Sequence, residues 1–99
     1  MKDVKQIKAK AEADIKDLAG RFEDGKLTLG TREFKLLHAG RSFLRVAGPR
    51  GTVYNIVPCP QCTVIEDNSL PVYSFTRLSR SFDFTFDRDG QYIELSGNA

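Results

Sequence analysis

At Gly25 the apolar pattern of this chain changes period from helical to alternating, and it does not change back. Before that point Val4, Ile7, Ala11, Ile15, Leu18 and Phe22 recur at steps of three and four. At about 100° per residue they fall in one narrow stripe, which predicts an amphipathic helix over about 3–24. Asp3 with Gln6 fits the reciprocal capping pair of a helix start, and Gly20 or Gly25 suits a left-handed helix end. The other faces carry Lys2, Lys5, Lys8, Lys10 and Lys16 among Glu12, Asp14 and Asp17. The acids cancel much of the basic field, so this reads as solvated surface and not as a membrane or nucleic-acid contact.

After Gly25, Leu27 and Leu29 alternate with Lys26 and Thr28, and Phe34, Leu36 and His38 alternate with Glu33, Lys35 and Leu37. Two further runs, 41–47 and 52–57, flank Gly48-Pro49-Arg50-Gly51, a turn by composition. Taking those four residues as the connection sets Arg45 opposite Tyr54 and Phe43 opposite Ile56, with Leu44, Val46, Val53 and Val57 on the other face. In "SFDFTFDRDGQYIELS" a two-residue loop at Asp89-Gly90 would oppose Phe86 to Ile93 and Phe84 to Leu95. That register makes Phe82, Phe84, Phe86, Ile93 and Leu95 the expected core and puts Asp83, Asp87, Tyr92 and Glu94 outside. No second helical period appears, which argues against a parallel nucleotide-binding sheet. The expectation is an α+β fold spanning 1–99 as a single domain. One N-terminal helix packs on a twisted antiparallel sheet of roughly five to seven strands over about 26–96, curled towards a barrel.

Composition adds limits. Ninety-nine residues suit one core, and 40% hydrophobic with 28% charged residues is ordinary for a globular protein. No apolar run approaches the about 20 residues that span a bilayer, and the N-terminus lacks a secretory hydrophobic stretch, so a cytoplasmic location is expected. Reduced cysteines are expected with it. Charge is uneven: residues 1–50 hold twelve Lys and Arg against seven Asp and Glu, whereas 51–99 hold three against six. Opposed halves can orient a charged partner, drive head-to-tail self-association, or neutralise one another in the fold.

Candidate chemistry is sparse. Cys59-Pro60-Gln61-Cys62 can supply two thiolates to a tetrahedral zinc, and His38 a third ligand, but no second C-x-x-C pair completes the set. A second copy of the chain could complete it, giving a zinc-linked homodimer. The extended flanks lack the helix N-terminus that a redox pair uses. Zinc is therefore secondary to a plain turn, and no cofactor is expected. His38, in step with Phe34 and Leu36, reads as a hydrogen-bonded structural residue. Asp87 and Asp89 before Gly90 lack the ligand series of a calcium loop, and the turn accounts for them. Asp83, Asp87 and Glu94 form a candidate acidic patch for a basic partner. No glycine-rich phosphate cradle or nucleophilic pairing can be placed, so an enzyme is not expected.

The most informative surface is "GRSFLRVAGPRGTVYNI". Arg41, Phe43, Arg45, Arg50 and Tyr54 would share a face with the basic-aromatic mixture that grips phosphates and stacks bases. Packing of Phe43, Tyr54 and Ile56 beneath a second layer, with the arginines reaching out from it, is the favoured alternative. The sequence thus points to a small non-enzymatic binding module that occupies a macromolecular surface. A protein-binding inhibitor or adaptor, of the kind phages and mobile elements encode, is preferred over a nucleic-acid-binding module.

Overall fold

The computed structural model describes residues 4–64, 67–77 and 80–98, with side chains for 8–59, 70–77 and 82–95. One helix, α1 (Val4–Ala19), precedes seven strands: β1 (Lys26–Leu29), β2 (Arg32–Ala39), β3 (Leu44–Ala47), β4 (Val53–Val64), β5 (Asp67–Arg77), β6 (Arg80–Phe86) and β7 (Tyr92–Asn98). The strands form one antiparallel sheet in sequence order, and α1 packs against it. The α+β, barrel-like expectation holds.

The helix uses the stripe that the sequence marks. Ile15 and Leu18 are buried, and Ala19 and Phe22 pack against the same core from half-buried positions. The expected cap at Asp3 lies outside the described residues. At the other end the helix stops at Ala19, several residues earlier than expected, where Gly20, Arg21 and Phe22 donate to the carbonyls of Lys16, Leu18 and Ala19. Gly25 serves a different purpose. With Asp24 it adopts a left-handed conformation (φ 53° and 76°) inside a turn closed by the Glu23–Lys26 bridge, the backbone that a two-residue hairpin loop requires.

Two expected registers are corrected by one residue each, for one reason. Between β6 and β7 the closing pair is Asp87 and Gln91, and Gly90 takes φ 83°. Between β3 and β4 the closing pair is Gly48 and Thr52, and Gly51 takes φ 77°. Both loops therefore hold three residues, with a left-handed glycine last, and each shifts its register relative to the shorter or longer loop expected. Phe86 pairs with Tyr92 and Thr85 with Ile93, so Tyr92 turns inward and Ile93 outward, and both Ile93 and Leu95 are exposed. Leu44 pairs with Ile56, Arg45 with Asn55 and Val46 with Tyr54, so Tyr54 faces the core and not Arg45. Phe82, Phe84 and Phe86 are core residues as expected.

Phe75 of β5 is the centre of that core. Its ring lies 4.9 Å from Phe34, 5.7 Å from Tyr54, 4.5 Å from Phe82 and 5.0 Å from Phe84, centroid to centroid. Aromatic contacts at these separations add about 0.5–1.5 kcal/mol each beyond the burial of area. Tyr73, also on β5, ties the helix to this stack: its Oη donates to the Asp14 carbonyl at 3.0 Å. Burial raises the Tyr73 phenol well above its ordinary range, and the nearby Asp14 and Asp17 carboxylates push the same way.

The sheet curls until its first hairpin meets its last strand. Arg32, at the start of β2, donates from Nη2 to Tyr92 Oη at 3.2 Å, approaches Glu94 Oε1 at 3.6 Å, and sits 4.9 Å above the Phe82 ring. Side chains thus close the seam where β1 and β7 share no ladder among the described residues.

Candidate functional site

The site begins with an irregularity in β2. Leu36 pairs with Val46 and His38 with Arg45, so Leu37 is an extra residue without a partner opposite. Such a bulge reverses the alternation beyond it. His38 consequently leaves the side of Phe34 and Leu36, contrary to the sequence expectation, and is exposed on the outer face beside Arg45.

The connection 40–43 brings Phe43 onto the same face. Its ring lies on the backbone of Gly40, so closely that a Cβ there would meet the ring well inside contact distance. Gly40 N–H donates to the Phe43 carbonyl at 2.9 Å and fixes the turn. Phe43 then stands between an imidazole and a guanidinium: the His38 ring at 5.7 Å, centroid to centroid, and the Arg45 guanidinium carbon at 5.9 Å. Arg45 is held by its strand neighbour, donating from Nε to Asn55 Oδ1 at 3.3 Å, and Thr76 Oγ1 donates to the Asn55 carbonyl at 3.3 Å. Ser42, Phe43, Arg45, Asn55, Val57 and Thr76 line an open cleft of about 360 Å³ on this face. Lys35 and Val53 are exposed further along the same sheet region, and Leu37 is exposed at the bulge.

Of the five basic-aromatic residues expected together, the fold unites Phe43 and Arg45. Tyr54 is packed against Phe34 at 6.2 Å and Phe75 at 5.7 Å. Arg41 lies across the 40–43 connection, where it lines a second cleft with Lys16 of α1. Arg50 is exposed in the β3–β4 loop, roughly 15 Å of chain from Arg45. Asn55 and the outward His38 are the additions. The sequence signal for His38 is the adjacent pair Leu36-Leu37, which breaks the alternation in "REFKLLHA"; Asn55 follows only from the β3–β4 register.

The acidic residues do not make one patch. Asp83 accepts a hydrogen bond from Ser74 Oγ on the outer face. Asp87 Oδ1 accepts from the N–H groups of Asp89 at 2.9 Å and Gln91 at 2.8 Å, so it builds the turn. A register shift between Asp83 and Phe84 sets Glu94 opposite Phe84, at the seam with Arg32.

Cys59 is disulfide-bonded, contrary to the expectation of reduced thiols, and the chain's other cysteine is Cys62, whose side chain lies outside the described residues. Between Pro58 and Thr63 the β4 ladder is interrupted, so the C-x-x-C segment bulges from the sheet. His38 is two strands and several residues away from Cys59, roughly 15 Å by strand geometry, so they do not share a metal site within one chain. Among the described residues no group of three or more His, Cys, Asp or Glu could hold a metal ion, and no helix is long and apolar enough to cross a membrane.

No family model, curated protein or solved structure matches this chain. The candidate site therefore rests on its own geometry: a braced arginine, one partly exposed aromatic, an imidazole and hydrogen-bonding side chains beside exposed aliphatic residues.

Proposed function

We propose that the protein is a non-enzymatic binding module that uses the outer face of β2–β4 to occupy an acidic, partly apolar surface of a protein partner. The observation that carries this reading is Phe43 held between His38 and Arg45, with exposed Leu37 and Val53 nearby. Aromatic and arginine side chains dominate the energetics of protein interfaces, and a pre-positioned arginine loses less freedom on binding than a loose one. Lys35 and Arg45 are exposed on this face, which favours an acidic counterpart. Occupancy of such a surface is how an inhibitor or adaptor acts.

Nucleic acid is the second reading, supported by the same Phe43 and Arg45. It is weakened by the inward turn of Tyr54, which leaves fewer rings for stacking bases. A zinc-linked dimer would first require reduction of the Cys59 disulfide.

Affinity capture from cells that express the protein, with wild type, Phe43→Ala and Arg45→Glu in parallel, tests the proposal. A protein retained by wild type and lost in both variants is expected, with affinity reduced about tenfold or more in each. Retention of oligonucleotides that falls steeply between low and moderate salt, and falls again in Arg45→Glu, would reassign the face to nucleic acid. Undiminished capture by both variants contradicts the assignment of the face.

A further inference from the structure

A second cleft, of about 400 Å³, lies on the other side of the 40–43 connection, between α1 and the β2–β3 region. Its floor is apolar: Ile15 and Leu44 are buried beneath it, and Ala19 and Ala39 supply small side chains to its walls. Two cations, Lys16 on α1 and Arg41 on the connection, line it from opposite sides. Both are exposed, and neither makes an ion pair among the described residues. Glu12, one helical turn before Lys16, is the one acid in the lining.

From this arrangement we infer that the cleft binds a free aliphatic carboxylate, with the alkyl chain on the apolar floor between the alanine walls and the carboxylate between Lys16 and Arg41. The volume falls within the range of about 300–1,000 Å³ usual for small-molecule sites, whose linings combine an apolar bed with a few polar anchors. Arginine offers paired N–H donors that match the two carboxylate oxygens, and lysine adds a point charge. The end of α1 does not oppose an anion with bare acceptors, because the carbonyls of Lys16, Leu18 and Ala19 already accept from Gly20, Arg21 and Phe22. Two cations against one carboxylate leave a positive balance in the lining. A neutral or cationic amphiphile lacks that complement. This site is separate from the Phe43 face and stands whether or not that face binds a protein.

Octanoate, kept below its micelle-forming concentration, is the probe, and amide NMR shifts of the full chain are the readout. Saturable shifts centred on Ala19, Ala39 and Gly40 are expected, with a dissociation constant below about 1 mM. The double variant Lys16→Glu/Arg41→Glu changes two exposed side chains, so its β5–β6 resonances should stay in place while octanoate affinity falls about tenfold or more. Octylammonium should produce no saturable shifts at these amides. A second variant, Ala19→Met, fills the cleft without touching its charges and should also abolish binding. Absence of saturable shifts with octanoate, equal binding of octylammonium, or octanoate binding unchanged in either variant would overturn the assignment.

Discussion

Arg32 Nη2 donates to Tyr92 Oη at 3.2 Å, and this bond spans the seam between the first hairpin and the last strand. The same guanidinium faces the Glu94 carboxylate and the Phe82 ring, so one side chain does the joining that backbone hydrogen bonds do elsewhere in the sheet. Arg32 is partly exposed, which limits its ion pair to a modest contribution. Arg32→Ala is expected to cost about 1–2 kcal/mol in chemical denaturation, from the lost hydrogen bond and cation–π contact together. Hydrogen exchange should accelerate in β1 and β7 and remain slow in β5. Uniform acceleration would mean that the seam is not a local unit.

Stability should also depend on alkaline pH through Tyr73. Its folded phenol holds the proton above the ordinary value of about 10, because burial and the adjacent carboxylates disfavour the phenolate. The unfolded chain loses that proton first. The contribution is therefore fully present below about pH 10 and is lost as pH rises towards the folded value, by at most about 1.4 kcal/mol per pH unit. Tyr92 is raised in the same direction by burial and Glu94, with Arg32 opposing. Denaturation curves across the alkaline range should show this slope in wild type and a shallower one in Tyr73→Phe. An unchanged slope in the variant would remove Tyr73 from the account.

Gly40→Ala separates the site from the scaffold. The added methyl would collide with the Phe43 ring, which is a movable side chain at the surface and not packed backbone. Stability should change by less than about 1 kcal/mol, while Phe43 leaves its place between His38 and Arg45. Loss of the ring-current shifts that Phe43 imposes on Gly40 would report the displacement. Partner affinity should fall with it.

Much of the fold was legible because hydrophobic period is a direct record of burial. Ile15 and Leu18 on the helix, and Phe82, Phe84 and Phe86 on β6, follow from spacing alone. The register was not legible, because it depends on loop length, and glycine serves several turn types. At Asp87–Gln91 and again at Gly48–Thr52 a left-handed glycine ends a three-residue loop, and each time the neighbouring strand shifts by one. That shift moved Tyr54 into the core and Ile93 out of it. His38 escaped for a related reason, since one extra residue at Leu37 reverses the strand's alternation. Of the candidate site, Phe43 and Arg45 could be read from composition, whereas Asn55 needed the register.

The β6–β7 turn offers its own test. Asp87 Oδ1 accepts from two backbone N–H groups, so it selects the three-residue loop over shorter alternatives. Asp87→Ala should destabilise the protein by about 1 kcal/mol or somewhat more, and Gly90→Ala should add strain at φ 83°. Thermal unfolding of both variants checks this. Wild-type stability in Asp87→Ala would mean that the glycine alone sets the loop.

Exposed aliphatic residues mark two faces on which a partner could sit: Val53 beside the Phe43 site, and Ile93 on the edge strand β7. A photo-cross-linking residue placed at each position in turn, in cells that express the protein, compares them directly. The account predicts one protein adduct from position 53, lost when Arg45→Glu is added, and no matching adduct from position 93. An adduct from position 93 alone, or one from position 53 that persists with Arg45→Glu, would contradict it.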